Sequence, residues 1–184
     1  GMGLQNVANV YVSKQSYDSA KPIYAAALKI IRRNGSDGHL SYILGNLAAV
    51  YEELKDYDQA LSYSLQALEI RRAHSQKRIL AAELIGIGHL YVLMKKYSLA
   101  ERHLDEGMKI AESIKAKKLL EDGYLYYAKL LAAKNDYKKA YHYIHLHNQW
   151  KDSIFNEENI RQIKELQTKY ETSEKDKQIT LLAK

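Results

Sequence analysis

The stretch DYDQA, Asp56–Ala60, has three relatives in the same chain: SYDSA at Ser16–Ala20, KYSLA at Lys96–Ala100 and DYKKA at Asp136–Ala140. Tyr17, Tyr57, Tyr97 and Tyr137 stand forty residues apart, and so do Ala20, Ala60, Ala100 and Ala140. The register extends outward in both directions. Six residues before each tyrosine stands Tyr11, Tyr51, Tyr91 or Leu131, and nine before it Ala8, Ala48, Gly88 or Ala128. Seven after it comes Tyr24, Ser64, Leu104 or Ile144, and ten after it Ala27, Ala67, Gly107 or His147. Repetition at a fixed period of this size marks stacked supersecondary units, each too small to bury its apolar face alone.

Within a unit the spacing is helical. Val7, Ala8 and Tyr11 fall on one stripe of a first helix, and Ala20, Tyr24 and Ala27 on one stripe of a second. Small residues at Ala8 and Ala20 let two helix backbones approach, with larger residues filling the space beside them. Asp56 and Asp136 stand just before the second helix, where a carboxylate can accept from exposed backbone N–H groups, and Ser16 is expected to do the same. Lys96 cannot. The single proline, Pro22, leaves long uninterrupted segments, which favours helices over many short strands. The expected pairs run over about 3–14 with 17–33, 38–54 with 57–73, 77–94 with 97–114, and 118–134 with 137–152, followed by a closing helix at about 154–182. The loop RNGSDG, Arg33–Gly38, separates the first two units.

The segment LGNLAAVYEELKDYDQALSYSLQALEI, Leu44–Ile70, resembles a tetratricopeptide repeat, and the resemblance spans four units from Leu4 to Trp150. It implies an all-α chain: a right-handed superhelix of four tetratricopeptide-type hairpins plus a long C-terminal helix. The units fall at about 3–36, 37–75, 76–116 and 117–152, with 153–184 as a capping and connecting helix. Two departures stand out. The proline usual after the second helix is absent in every unit, and the period is forty rather than the roughly 34 of the family. Both imply helices extended at their ends. The fourth unit is the least regular, with Leu131 and His147 where tyrosine and alanine are expected.

Composition narrows the function classes. Sixteen tyrosines stand against one Phe and one Trp, so most large apolar groups carry a hydroxyl suited to half-buried helix contacts. With no cysteine, disulfides, thiolate metal sites and cysteine catalysis are excluded. No apolar run approaches the roughly 20 residues needed to cross a bilayer, and no signal peptide is evident. Gly1-Met2 reads as a cloning remnant, and Leu4 already belongs to a helix, so the chain is expected to be an excised piece. The net charge is +6, all of it in residues 1–150, because the segment from Lys151 onward carries seven basic and seven acidic residues. The basic runs fall near helix ends, where cations also suit the helix dipole, and none is interleaved with aromatics. This argues against a nucleic-acid partner.

The chain offers little catalytic chemistry. His142 and His145 in YHYIHLHNQW, Tyr141–Trp150, share a helix face, but no carboxylate at matching spacing completes a metal site, and His147 points elsewhere. Gly86 and Gly88 lie inside a helix, in LIGIGHLY, where they are read as close-packing positions rather than a phosphate loop. No nucleophile and base can be paired. The expectation is a non-catalytic chain without cofactor or metal.

What such repeats present is a concave surface lined by their first helices, and a protein or peptide is the expected occupant. The candidate lining residues are Gln5, Asn9, Tyr42, Asn46, Ile85, His89, Leu125 and Lys129, with Val12, Gly45, Ala49, Val92 and Ala132 between them. Chaperone-binding members of the family hold a carboxylate with two asparagines and several cations. Asn9 and Asn46 match the asparagines, but Gln5, Ala82 and Gly86 stand where the cations belong, so a carboxylate clamp is rejected.

In the closing segment Ile160, Ile163, Leu166 and Tyr170 recur at three and four residues, a narrow stripe wide enough for one seam. Ile160, Ile163 and Leu166 are expected to cover the fourth hairpin near Tyr141 and Ile144, with residues beyond Tyr170 extending away, in the full protein as one arm of a homodimer. WKDSIFNEENIRQIKELQTKYETSEKDKQITLL, Trp150–Leu182, resembles the segment that follows tetratricopeptide repeats in bacterial sensor histidine kinases and related regulators. That resemblance implies a signal-input domain of a two-component system on the periplasmic side of the inner membrane, with any membrane helix and kinase module beyond Lys184. The alternatives are a free-standing scaffold or adaptor, the input domain of a transcription regulator, and a cytoplasmic location.

Overall fold

The computed structural model describes the backbone of residues 2–74 and 76–182; among these, every regular element is an α-helix. Four antiparallel hairpins follow one another: α1 (Met2–Ser13) with α2 (Tyr17–Asn34), α3 (Asp37–Glu53) with α4 (Tyr57–Ala73), α5 (Lys77–Leu93) with α6 (Tyr97–Ser113), and α7 (Lys117–Ala133) with α8 (Tyr137–Leu182). Each second helix also packs on the first helix of the next unit, and α5 packs on α7.

The forty-residue register is written into the turns. Gln15, Lys55, Lys95 and Asn135 hold the same left-handed backbone, with φ between 58° and 62°. At each, two backbone bonds close the preceding helix: Lys55 N–H donates to Glu52 O and Asp56 N–H to Tyr51 O, both at 2.9 Å. This is the Schellman arrangement, usually closed by glycine. Here lysine, glutamine and asparagine carry the strain. After the turn, Asp56 Oδ1 accepts from Gln59 N–H and Asp136 Oδ1 from Lys139 N–H, each at 3.2 Å. Lys96 offers no cap. Ser16, expected to cap α2, does not; its hydroxyl turns back to Lys14 O at 3.5 Å.

Within hairpins the small residues do what their spacing implies. Ala8, Ala20, Ala27, Ala60, Ala67 and Ala100 are fully buried. A Cβ on Gly107 would lie 2.8–3.0 Å from Ile85 and Leu84, and one on Gly88 would lie 2.6 Å from Leu104, so these two glycines set the closeness of α5 and α6. Gly86 differs from its expected close-packing role: a Cβ there would meet nothing within 4 Å. It lies on the open side of α5.

The seams between units differ in chemistry at equivalent positions. Ile31 and Ile43 stand at the first, Arg71 and Glu83 at the second, Ala111 and Gly123 at the third. Arg71 and Glu83 form a buried ion pair, and the Arg71 Nη2 also donates to Ser41 O at 3.0 Å. Burial lowers the Arg71 pKa. The guanidinium lies over Gly45, where a Cβ would come within 2.9 Å of Nη2. The buried apolar residues accordingly fall into two clusters. One spans α1 to α4; the other spans Leu68 and α5 to α7. The ion pair lies at their boundary.

The closing segment departs from expectation. No break separates the second helix of unit four from a closing helix: α8 is one helix of 46 residues. Nothing from Trp150 to Asn156 supplies a proline, a glycine or a left-handed residue, so the helix does not turn. Glu157 pairs with Lys117, the first residue of α7, and α8 then runs past the end of its partner. Ile160 is 65% exposed and does not cover the fourth hairpin; Tyr141 is 73% exposed. The side chains of Ile163, Leu166 and Tyr170, assigned to the same cover, lie outside the described residues. The outer face of unit four is instead made polar by its own sequence. Where units one to three bury Leu28, Leu68 and Met108, unit four exposes Asn148; where they place Ile31, Arg71 and Ala111, it exposes Lys151.

Candidate functional site

The first helices α1, α3, α5 and α7 turn one side away from their hairpin partners, and the expected groove residues lie along it. Gln5 and Asn9 of α1 are half-buried, and the Tyr24 hydroxyl of α2 donates to Asn9 Oδ1. Tyr42 of α3 is 46% exposed. Asn46 is half-buried, and its Nδ2 is buried without a hydrogen-bond partner among the described residues. Leu125 of α7 is half-buried and Lys129 exposed. Two expected residues are not open. Ile85 is 2% exposed and packs beneath Gly107, so it belongs to the core. His89 is 9% exposed, held within a polar chain that crosses three helices.

That chain links α3, α5 and α7. His89 Nδ1 lies 3.1 Å from Glu52 Oε1, and Nε2 lies 3.5 Å from Lys129 Nζ. The geometry suits the tautomer in which Nδ1–H donates to Glu52 and Nε2 accepts from the Lys129 ammonium. The Tyr126 ring stacks on His89 with centroids 4.0 Å apart and planes 9° from parallel, while Lys129 Nζ sits 5.3 Å from the Tyr126 centroid. Burial pushes the Tyr126 hydroxyl pKa up, with Asp122 and Glu52 adding to the rise and Lys118 offsetting it. Glu52, which as half of the adjacent pair Glu52-Glu53 reads in sequence as a solvated helix face, and Tyr126 are not among the expected groove residues. Both stand in strict repeat register: Glu52 with Val12 and Val92, Tyr126 with Asn46 and Gly86.

Between α1, α2 and α3 lies a small recess of about 140 Å³ walled by Val12, Tyr17, Tyr24, Asn46, Ala49 and Glu53. Burial raises the Tyr24 pKa, Tyr42 adds to this, and the nearby Asn46 amide offsets it. The two asparagines matched to a carboxylate clamp are thus used differently: Asn9 is bound by Tyr24, and Asn46 lines the recess.

The histidine cluster is dispersed. His142 meets Tyr143 edge-on at 5.7 Å, and His147 Nδ1 lies 3.0 Å from Glu121 O, at the position where other units use Ala27, Ala67 and Gly107. Among the described residues no group of three or more His, Asp or Glu side chains is placed to hold a metal. Among them too, no helix is long and apolar enough to cross a membrane.

Comparison with known proteins fits this geometry. The model of the tetratricopeptide repeat family matches residues 2–73 and 43–113, together more than half of the chain. The chain belongs to the tetratricopeptide repeat family. Its hairpins stack as the right-handed superhelix of that fold. Among solved structures it is similar to BtubC (BKLC) from P. vanneervenii, at 20% identity and a TM-score of 0.70 over 80% of this chain and 61% of that one. A putative kinesin light chain of Podosopora anserina, with nearly identical repeats of this type, matches at 12% identity and 0.69 over 82% and 74%. RapI in its apo form matches at 22% and 0.67 over 82% and 42%. This chain thus spans less than two thirds of BtubC and less than half of RapI. No curated protein sequence matches the chain significantly. As a tetratricopeptide array it is a protein-interaction repeat domain, and nothing shows catalytic activity.

Proposed function

We propose that the open side of α1, α3, α5 and α7 binds a peptide or a segment of a partner protein, and that this binding is the input of a signalling protein. The observation that supports it best is Asn46. A buried amide donor without a hydrogen bond of normal geometry costs about 1–3 kcal/mol; Asn46 Nδ2 lies near the Tyr24 hydroxyl and is closed to solvent, so a ligand carbonyl gains it when the amide turns out into the recess. Asn46 lines an open recess beside exposed Tyr42, at the height of the groove where an extended chain would run. A Rap protein solved with Competence and Sporulation Factor is similar to this chain at 18% identity and a TM-score of 0.52 over 82% of it, a precedent for this architecture holding a ligand.

Peptides selected from a displayed library on the purified chain should bind wild type and lose about tenfold or more in affinity to Asn46→Ala, about 1.4 kcal/mol. Selected peptides that bind Asn46→Ala and Lys129→Ala unchanged would place recognition elsewhere.

The output reading rests on the resemblance of Trp150–Leu182 to sensor histidine kinases, with periplasmic placement and dimerisation through α8 as its further parts. The unbroken α8, running past the end of α7, is a suitable connector from the repeats to a following module. Coding sequence that continues from Lys184 into an apolar stretch of about 20 residues and a kinase module supports it. A stop codon there favours the free-standing adaptor.

A further inference from the structure

A second recess opens on the opposite face of α7 from Leu125 and Lys129, between α6, α7 and α8. Its volume is about 400 Å³. Tyr124 and Tyr127 of α7, Tyr143 of α8 and Met108 of α6 form its floor, and Asp105, Lys109 and Glu112 of α6 stand on its rim. The repeat register explains why it opens at this seam. The positions of Tyr124 and Tyr127 are held by Leu44 and Leu47 in unit two and by Leu84 and Ile87 in unit three, all of them closed core residues at 0–1% exposure. Unit four replaces two aliphatic closures with tyrosines, and adds Tyr143 where the earlier second helices carry Tyr63 and His103.

We propose that this recess takes the guanidinium side chain of an arginine presented by a partner protein. The floor is aromatic: Tyr127 and Tyr143 stack on each other, 5.0 Å apart with planes 18° from parallel, and Tyr124 lies 6.1 Å from Tyr143 at 43°, so the side of this cluster away from the stacked contact is what a cation would meet. A planar cation stacks on such faces more readily than a compact ammonium. The rim supplies the opposite charge. Among the described residues neither Asp105 nor Glu112 forms an ion pair, and the Tyr127 hydroxyl donates to Asp105, fixing one carboxylate over the aromatic floor. Desolvation and then the neighbouring Glu101 raise the Asp105 pKa, the condition of a carboxylate short of a cation. Among the described residues Lys109 is the one cation on the rim, between two carboxylates on the same helix face. An acidic, aromatic recess on a chain of net charge +6 selects a basic ligand against its own average field. The site is separate from the groove across α7, and each stands without the other.

The test is a titration of the full chain, followed by the ring resonances of Tyr124, Tyr127 and Tyr143, with the capped tripeptide Ala-Arg-Ala and its neutral isostere Ala-citrulline-Ala. The arginine peptide should shift these resonances saturably, and the citrulline peptide should bind about tenfold more weakly. Tyr124→Leu copies the residue that closes the equivalent position in units two and three, so it should keep the melting temperature and abolish the shifts. Asp105→Asn should weaken arginine binding without affecting citrulline. Equal binding of the two peptides, undiminished binding by Tyr124→Leu, or no shift at millimolar arginine peptide overturns the proposal.

Discussion

The first and second seams of the array share a backbone arrangement and differ in what fills it. At the first, Ile31 and Ile43 join the units with apolar surface. At the second, the same two positions hold Arg71 and Glu83, a buried ion pair whose guanidinium also reaches Ser41 O and needs Gly45 for room. Short turns fix the order of the units along the chain, but identical seams would let a unit pair equally well with the wrong unit of another chain. A charge pair at one seam matches only itself, because Arg71 placed against Ile43 or Gly123 would be buried without an anion. The difference therefore teaches that the hairpins set the fold while the seams set which neighbours fit.

The comparison breaks most sharply at Arg71. Arg71→Ala leaves Glu83 buried and uncompensated, and should cost about 3–5 kcal/mol in denaturant unfolding. Giving the second seam the chemistry of the first, with Arg71→Ile and Glu83→Ile together, should instead leave stability equal or raise it by about 1–4 kcal/mol, since a buried pair seldom outperforms a packed apolar isostere. A loss comparable to Arg71→Ala would mean that the pair holds the seam rather than specifies it. Hairpin interiors, by contrast, should respond alike. Ala60→Leu and Ala100→Leu each overpack a fully buried contact and should each cost about 1–3 kcal/mol by thermal melting. The turns should also behave as equals: Lys55→Gly and Lys95→Gly relieve left-handed strain and should each stabilise by about 1 kcal/mol. The smallest effect is at Asp136. Its pKa is lowered first by the Lys139 backbone N–H and then by the Lys139 side chain, so its contribution is full above the ordinary carboxylate value of 3.8 and fades as pH falls through the lowered folded value. Asp136→Asn should flatten that acid-side slope of melting temperature while leaving the slope above it unchanged.

The sequence made the hairpins legible because their determinants are local. Tyr57 and Ala60, three residues apart, report one helix face, and the forty-residue recurrence repeats that report four times. Seam chemistry was not legible, because Arg71 and Glu83 are distant in sequence and look like any exposed charges until stacked. The open side of the first helices was legible in part. Asn9, Tyr42, Asn46 and Lys129 fall on the open side, but Ile85, in register with half-buried Gln5 and Leu125, sinks into the core where Gly107 leaves room, and Glu52 and Tyr126 stand at register positions that carry different residue types in the other units. The end of the array was misread for a physical reason: a helix stops where its backbone is interrupted, and nothing between Trp150 and Asn156 interrupts it. The loss of apolar residues at Asn148 and Lys151 was the visible sign that no further element needed to fold back there.

The central functional claim is that partners are recognised by the open side of the first helices. Chemical-shift mapping of a library-selected peptide on the labelled chain tests it most directly. Perturbations concentrated at Gln5, Asn9, Tyr42, Asn46 and Lys129, with Asn46 Nδ2–H moving as it gains an acceptor, are the predicted result. A footprint confined to the second helices α2, α4 and α6, with those five residues unmoved at saturation, would contradict it.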